Sequence, residues 1–244
     1  MSHKPLISVV IPTLNEEKYL PITLGFLRAQ RGLEWGKDFE VIVADGNSSD
    51  HTREIAHFMH AKVLTERTHT IAAGRQKGWR AARGEIIVFT DGDAQPPVDW
   101  LSNITRPLLE DSSISACYGP LYPSDGSFVE DVFMKTVFNL YLWATSLVGL
   151  PSGGGNNLAI RRSVLERSGG FDVNLVTAED LEVQRKAKRY GKVPFILGAP
   201  TKVSARRVHQ WGYVKYIAFH INNLLSLHFG DSRHARENPY EPIR

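Results

Sequence analysis

Cysteine is almost absent from this sequence, and long apolar runs are absent altogether. Cys117 is the only cysteine, so no disulfide can form within the chain, and a reducing, cytoplasmic location is expected. The apolar run 6–11 is too short for a signal peptide and ends at Pro12. The uncharged stretch 136–160 has an apolar segment only over 137–150, which is shorter than the ~20 residues of a membrane-spanning helix. Secretion and membrane insertion are therefore not expected.

Acidic residues are missing from one long stretch of the chain. The net charge is only +3, yet residues 183–230 contain no Asp or Glu. The basic residues of this stretch are Arg185, Lys186, Lys188, Arg189, Lys192, Lys202, Arg206, Arg207 and Lys215. Such a stretch favours either a phosphorylated ligand or an anionic membrane surface, and a solvated cationic face is the alternative.

Glycine is missing where a dinucleotide-binding fold would need it. Residues 7–11 predict a first buried strand, and residues 12–17 predict the turn into a helix, with Asn15 as its cap. A Rossmann dinucleotide site needs glycines in this turn so that backbone N–H groups can approach a pyrophosphate. Their absence argues against an NAD-type dehydrogenase, and Glu16 and Glu17 would repel a bare phosphate.

What the sequence does contain is a strand that stops at two aspartates, in GEIIVFTDGDAQPP at 84–97. The apolar run within 85–90 predicts a strand buried on both faces. Asp91 and Asp93 follow it, separated by one small residue. Two carboxylates at this spacing can reach the same hard cation, although Asp-Gly is also a common turn dipeptide.

Strands and helices alternate up to this point. Residues 39–44 predict a second strand ending at Asp45, residues 61–65 a third, and residues 70–83 a helix closed by Gly84. Such alternation predicts a parallel sheet with its strand ends on one edge. Thr13, Asp45, Asp91 and Asp93 should then converge, which favours the metal interpretation over the turn. We expect Asp45 to contact a nucleobase or ribose, and Arg75 to point into the site.

The second half of the chain is less regular. Predicted elements are a helix at 100–111, strands at 114–118 and 193–197, a helix opened by a capping box at Ser127, and an aromatic amphipathic helix at 213–229. The two apolar helices fit either burial or contact with lipid. The glycines of 152–157 allow close approach to a ligand or form a flexible connector. Thr177 and Asp180 have the spacing of a helix cap.

Five segments taken together resemble the family 2 glycosyltransferases of GT-A fold. They are ISVVIPTLNEE at 7–17, VIVADGNSSD at 41–50, IIVFTDGDAQPP at 86–97, GGGNNLAIRRSVLERSGGFD at 153–172 and AEDLEVQRKAKRYG at 178–191. The resemblance implies an α/β fold with a mostly parallel, Rossmann-like central sheet flanked by helices. It implies one domain over 1–230, with a donor half at about 5–115 and an acceptor half at 116–230. The two prolines and mixed charges of 231–244 predict a poorly ordered tail.

The resemblance also implies an activity and its residues. An inverting transferase would move a sugar, of hexosyl type, from a nucleotide diphosphate sugar to an acceptor hydroxyl, using Mg²⁺ or Mn²⁺. Asp180 would be the catalytic base and Glu179 its partner, and Asp91 and Asp93 would bind metal. His209 would be a further metal ligand, or have the structural role that is more usual for a lone histidine. The implied donor contacts are Pro12, Thr13, Glu16, Asp45, Gly74, Arg75, Asp91, Gly92, Asp93, Arg206 and Arg207. No nucleic acid partner is implied, and the oligomeric state stays open.

Processive synthases of this family carry a Gln-x-x-Arg-Trp motif and membrane helices, whereas this chain has only His209-Gln210-Trp211. We therefore expect a single sugar addition, with a lipid-linked acceptor and peripheral contact with the cytoplasmic membrane face as an open possibility. One alternative is a metal-dependent phosphatase of haloacid-dehalogenase type, whose strand also ends in Asp-x-Asp. A phosphatase of that type would have a threonine at the position of Gln95. A non-catalytic nucleotide-sugar-binding module is the other alternative, and the retained aspartates count against it.

Overall fold

This computed structural model describes residues 6–229, except for the side chains of Arg207, Tyr213, His228 and Phe229. The first half alternates strands and helices as predicted. Its elements are β1 (Ile7–Thr13), α1 (Leu20–Arg28), β2 (Phe39–Asp45), α2 (Thr52–Phe58), β3 (Lys62–Thr65), α3 (Ile71–Ala81) and β4 (Ile86–Phe89).

The second half supplies more helices and short strands. Its elements are α4 (Trp100–Glu110), β5 (Ala116–Tyr118), β6 (Leu121–Pro123), α5 (Phe128–Phe133), a π-helix (Met134–Phe138), α6 (Asn139–Leu147), β7 (Leu158–Arg161), α7 (Arg162–Ser168), α8 (Glu179–Ala187), a 3₁₀ helix (Lys188–Tyr190), β8 (Thr201–Val203), α9 (Arg206–Trp211) and α10 (Tyr213–Phe229). The tail at 231–244 lies outside the described residues.

One six-stranded sheet organises the molecule, in the order β3-β2-β1-β4-β7-β5. β3, β2, β1 and β4 are mutually parallel, and β7 is antiparallel to both of its neighbours. The predicted α/β fold with a mostly parallel sheet is confirmed. Strands from both predicted halves share this sheet, while β6 and β8 form a separate parallel pair.

Helices cover both faces of the sheet, which is why its strands read as continuous apolar runs. On one face, Val9, Ile11 and Val88 pack against α1 and α4. On the other face, Val10 and Ile87 pack with α3, the π-helix, α7 and α8. All of these strand side chains are fully buried, so the loops at the strand ends are held on a rigid base.

Two predictions of helix caps in the first half were wrong. Asn15 does not cap the first helix, which begins only at Leu20; its own φ is +55°, and its backbone N–H donates to Ser48. Gly84 does not cap α3, which ends beside Ala82. It is needed instead where the chain passes β1, since a Cβ there would lie 2.6 Å from the Ser8 nitrogen.

The strand predicted at 193–197 is also absent from the described chain. Within that segment Phe195 makes an isolated bridge to Tyr118 of β5, and just before it Lys192 makes one to Ile114. The capping box at Ser127 is confirmed: its hydroxyl accepts from the N–H of Glu130, whose carboxylate accepts from the N–H of Ser127. Within the described residues, no helix combines the length and apolar character needed to cross a bilayer.

Candidate active site

The carboxyl ends of β1, β2 and β4 meet at one edge of the sheet, as the alternation predicts. Thr13 and Asp45 pair in the strand register, and the Thr13 hydroxyl donates to an Asp45 carboxylate oxygen over 3.1 Å. Asp91 and Asp93 lie just beyond the end of β4. The turn after an apolar run therefore places two carboxylates at the position where open α/β sheets bind ligands.

A cavity opens at this edge, and most of the predicted donor residues line it. These are Pro12, Thr13, Glu16, Gly74, Asp91, Gly92, Asp93 and Arg206. The opposite wall comes from the second half of the chain and includes Glu130, Met134 and Tyr216. The cavity thus lies between the end of the sheet and the helices α5, π, α9 and α10.

Asp45 does not line this cavity, which differs from the predicted contact with a nucleoside. Its side chain is 0% exposed. One carboxylate oxygen accepts from the Ser48 N–H and the other accepts from the Ser48 and Thr13 hydroxyls. With these bonds, Asp45 holds the β2 loop against the end of β1. Its neighbours Ala44 and Gly46 face the cavity instead.

Arg75 joins the two acidic parts of the site. Its guanidinium is 3% exposed, donates to Asp91 over 2.9 Å and forms a second ion pair with Glu179. Burial opposes its charge, but Asp91, Glu179 and Asp180 more than compensate and raise the pKa of Arg75. It therefore stays charged and fixes Glu179, which is 104 residues away in the chain, beside the strand-end aspartate.

Arg206 neutralises the opposite side of the same cluster. Its guanidinium lies 2.8 Å from Glu16 and 3.1 Å from Asp93. Burial of Asp93 and the nearby charge of Asp91 raise the pKa of Asp93 to about 7. Burial likewise raises the pKa of Glu16, against the opposing effect of Arg206. The charge of Arg206 therefore does not fully offset the burial of these carboxylates and their mutual repulsion.

This crowding fits a divalent cation. Glu16 has a buried carboxylate oxygen without a hydrogen-bond partner, and Asp91 and Asp93 offer the hard oxygen donors that Mg²⁺ and Mn²⁺ prefer. Among residues 6–229, no group of three or more His, Cys, Asp or Glu side chains is arranged to hold a metal. An ion bound here would take its remaining ligands from phosphates and water.

His209 forms an ion pair with Glu130 of α5. Its Nε2 lies 2.8 Å from a Glu130 carboxylate oxygen, so the contact seen does not support its predicted role as a metal ligand. Glu130 itself is buried and lines the cavity. The side chain of Arg207, also predicted to bind the donor, lies outside the described part of the chain.

Asp180 lies in the first turn of α8 and is held by two backbone groups. One carboxylate oxygen accepts from the Gly155 N–H and the other from the Leu181 N–H, each over 2.8 Å. Burial raises the pKa of both Asp180 and Glu179; the charge of Asp180 raises the pKa of Glu179 further, and the charge of Asp91 adds to the rise at both. A raised pKa makes a carboxylate a stronger base, as a group that takes up a proton in catalysis needs to be.

The helix begins at this point for a reason other than the expected cap. The N-cap position is Ala178, with φ of +59°, and Thr177 does not cap. Its hydroxyl accepts instead from Asn223 of α10. A left-handed backbone at alanine is strained, and it immediately precedes Glu179 and Asp180. The first residue of the helix, Glu179, pairs with Arg75, while Asp180 bonds to the backbone of Gly155 and Leu181.

The glycine-rich loop packs against the protein's own side chains. A Cβ on Gly155 would lie 2.2 Å from the Arg75 guanidinium, and one on Gly153 would lie 2.3 Å from the Tyr118 ring. Glycine is needed here because the backbone passes directly over Arg75 while donating to Asp180. The loop thus fixes the arginine and the proposed base together.

Asn156 and Gln184 are among the residues of this site that sequence reasoning missed. Asn156 lines the cavity and has a buried side-chain oxygen without a hydrogen-bond partner. Gln184, fully buried one turn after Asp180, bonds to both the N–H and the C=O of Gly153. The two asparagines after three glycines were a signal for the first, whereas nothing in the helical pattern singled out Gln184.

The model of glycosyl transferase family 2 matches residues 8–169, most of the chain. This chain belongs to glycosyl transferase family 2. The match includes β1, the strand-end aspartates, the glycine-rich loop and α7. Membership of this family replaces the alternative of a haloacid-dehalogenase phosphatase.

Similar proteins agree with this assignment. The chain is 26% identical over 214 residues to the probable glycosyltransferase YdaM of Bacillus subtilis, covering 78% of this chain and 48% of that protein. It is 23% identical over 206 residues to the dolichol-phosphate mannosyltransferase of Pyrococcus furiosus, covering 79% and 56%. The chain therefore spans about half the length of these relatives.

The fold is also similar to that of a solved structure. The mannosyltransferase PcManGT of Pyrobaculum calidifontis, in complex with GDP-Man and Mn²⁺, superposes with a TM-score of 0.71 at 23% identity. The match covers 91% of this chain and 65% of that one. The fold is GT-A.

Proposed function

We propose that this chain is an inverting, non-processive glycosyltransferase that moves a hexosyl group from a nucleoside diphosphate sugar to an acceptor hydroxyl. The observation that carries the proposal is the cavity at the carboxyl edge of the sheet: Asp91 and Asp93 line it, and Arg75 joins Asp91 to Glu179, which directly precedes Asp180 in α8. Family membership and the nucleotide sugar in the similar mannosyltransferase support it.

The donor diphosphate would lie beside Asp91 and Asp93. These two aspartates would hold Mg²⁺ or Mn²⁺, and a bound divalent ion supplies charge to stabilise the leaving diphosphate. Arg206, now shared between Glu16 and Asp93, carries the fork of donors that matches phosphate oxygens. It would exchange one carboxylate for the diphosphate, and the nucleoside would then extend past Pro12 and Ala44 toward Gly74.

Asp180 would act as the general base. As the acceptor oxygen attacks the anomeric carbon, Asp180 takes the hydroxyl proton, and the bond to the diphosphate breaks on the opposite side of the sugar. A single displacement of this kind inverts the anomeric centre. Gly155 and Leu181 fix the carboxylate by backbone N–H bonds, and Arg75 with Glu179 holds the base at a constant distance from the donor side.

The acceptor side of the cavity favours a particular class of substrate. Its wall contains Leu121, Met134, Val176 and Val208, which suit an apolar group next to the reacting hydroxyl. A lipid-linked acceptor, used at a membrane surface, fits this wall. The name of the Pyrococcus relative, a dolichol-phosphate mannosyltransferase, is in line with that class.

The Asp180→Asn variant tests the proposal. With a nucleotide sugar and Mn²⁺, transfer or slow donor hydrolysis should fall by ~10²–10⁴-fold, the usual contribution of a general base, while donor binding by calorimetry stays within a few-fold. Asp99→Asn, at a surface ion pair with Arg31, is the matched control and should retain full activity. Hydrolysis unchanged in Asp180→Asn would remove Asp180 from the role of base, and absence of any turnover in the parent protein would favour a binding module.

A further inference from the structure

The helical segment of α5, the π-helix and α6 exposes apolar side chains along its outer face. The exposed members are Phe128, Val129, Val132, Val137, Leu140, Trp143, Leu147 and Val148. Phe128 is 82% exposed and Leu140 60%. The spacings between 129, 132, 140, 143 and 147 are those of one side of a helix. The opposite side, with Met134, Phe138 and Leu142, is buried in the core.

A second apolar stripe runs along α10. Val214 is 84% exposed, Ile221 43% and Leu225 50%, again at helical spacing. α10 packs directly against the first segment, because the Phe138 ring lies 6.3 Å from that of Tyr216 and 6.0 Å from that of His220. We call the outer faces of these two neighbouring helical segments, 128–148 and 214–225, the docking face.

The same helices that form the docking face also form the acceptor wall of the cavity. Glu130 and Met134 of the first segment and Tyr216 of α10 line the cavity with their inner sides. A surface that covers the outer faces would therefore lie next to the cavity. Large exposed apolar patches on a folded protein mark contacts with protein or membrane, and these two neighbouring stripes adjoin the proposed acceptor site.

The charges around the docking face decide between those occupants. Segment 128–148 has only two acids: Glu130 is buried and Asp131 pairs with Lys135 over 2.5 Å. Residues 183–229 contain no acid at all, and Lys188 and Lys215 lie in this stretch. A second copy of the chain would bring like charges together, whereas a bilayer with anionic lipids would neutralise them.

We propose that the docking face binds the surface of a membrane that contains anionic phospholipid. Trp143, Leu140 and Val214 enter the headgroup boundary, and the lysines at the rim contact lipid phosphates, as in other interfacial helices. Binding rests on the exposed face alone. Membrane binding would also present a lipid-linked acceptor to Asp180, and this consequence rests on the proposed function.

Vesicle sedimentation with the full chain tests this inference. The probes are vesicles of phosphatidylcholine alone and vesicles with a third of phosphatidylglycerol. The double variant Leu140→Gln/Trp143→Gln and the double variant Val214→Gln/Leu225→Gln should each lower binding to the anionic vesicles by at least about tenfold. Phe58→Gln/Leu109→Gln replaces exposed apolar residues of α2 and α4, 85% and 53% exposed, and should bind like the parent chain.

Each outcome bears on the proposal. Loss of binding in both docking-face variants, with the control unaffected, supports it. Equal binding to neutral and anionic vesicles, unchanged binding of the docking-face variants, or dimers that these variants convert to monomers in light scattering would overturn it. Donor hydrolysis in solution keeps the two proposals apart, because it should be unchanged in the docking-face variants. A chain without hydrolysis that still binds vesicles would count against the transferase only.

Discussion

At Asp93, burial and a neighbouring negative charge act in the same direction, and the pKa of the carboxyl rises to about 7. Arg206 opposes this rise but is shared with Glu16. Since the pKa of an unfolded aspartate is 3.8, the folded protein binds the proton more tightly than the unfolded chain. The contribution of Asp93 to stability is therefore present in full below pH 3.8 and is lost as the pH rises through 7.

Above pH 7, the ionised Asp93 should therefore lower the free energy of unfolding. We expect Asp93→Asn to raise the free energy of unfolding at pH 8 by ~1–3 kcal/mol, since one pKa unit corresponds to ~1.4 kcal/mol. The gain is reduced because Arg206 loses a partner. The gain should shrink as the pH falls toward 4. Denaturant unfolding at several pH values measures it. Asp99→Asn, at an exposed ion pair, should change little at any pH, and a loss of stability in Asp93→Asn at pH 8 would contradict the prediction.

At the scale of elements, the glycine-rich loop and α8 act as one unit around Arg75. The loop lies over the guanidinium at Gly155, donates its N–H to Asp180 and is bonded to Gln184 at Gly153. Arg75 in turn holds Glu179 and Asp91. Movement of any one of these groups therefore changes the distance between the strand-end aspartates and the proposed base.

Gly155→Ala tests this coupling. Its Cβ would meet Arg75 at 2.2 Å, so either the loop or the arginine must shift. We expect a loss of ~1–3 kcal/mol of stability, as for other overpacked sites, and a fall in kcat at least as large as the fall in donor affinity.

Gly198→Ala is the matched control, because no atom lies within 4 Å of a Cβ there. Melting temperature and steady-state kinetics measure both effects. If Gly155→Ala behaved like Gly198→Ala, the loop would not constrain the arginine.

At the scale of the whole molecule, the cavity joins the sheet edge from the first half to helices from the second. Arg206 and Glu16 are 190 residues apart in the chain, yet they form one ion pair across it. A ligand that binds both walls should therefore stabilise the entire fold, because ligands that bind only the native state shift unfolding by mass action.

A nucleoside diphosphate with Mn²⁺ should raise the melting temperature. At a concentration one hundred times its Kd, the stabilisation is ~2.7 kcal/mol, or roughly 5–10 °C for a chain of this size. Thermal-shift assays with UDP, GDP and dTDP, each with Mn²⁺ or with EDTA, measure it and identify the base. Asp93→Asn should lose the dependence on Mn²⁺. A shift that is equal in EDTA would argue against metal on the diphosphate.

The sequence by itself determined the parallel part of the sheet and the edge where ligands bind. Apolar runs that stop at Thr13, Asp45 and Asp91 indicated the strands and their ends, because a strand that is buried on both faces is a nearly continuous run of apolar residues. The order of helices and strands then placed those ends on one edge. The capping box at Ser127 and the extent of α10 were also readable, since their signals are local.

Only the tertiary structure decided how the side chains are used. Asp45 is the last residue of one strand and Asp93 follows another. Asp45 is buried by its bonds to Ser48 and Thr13, whereas Asp93 lines the cavity. The pairing of Arg206 with Glu16 and the insertion of β7 beside β4 depend on contacts between residues far apart in the chain. The apolar pattern of 128–148 was compatible with burial or exposure. Hydrophobic periodicity records that a helix has an apolar side; what covers that side is decided by packing with the rest of the fold.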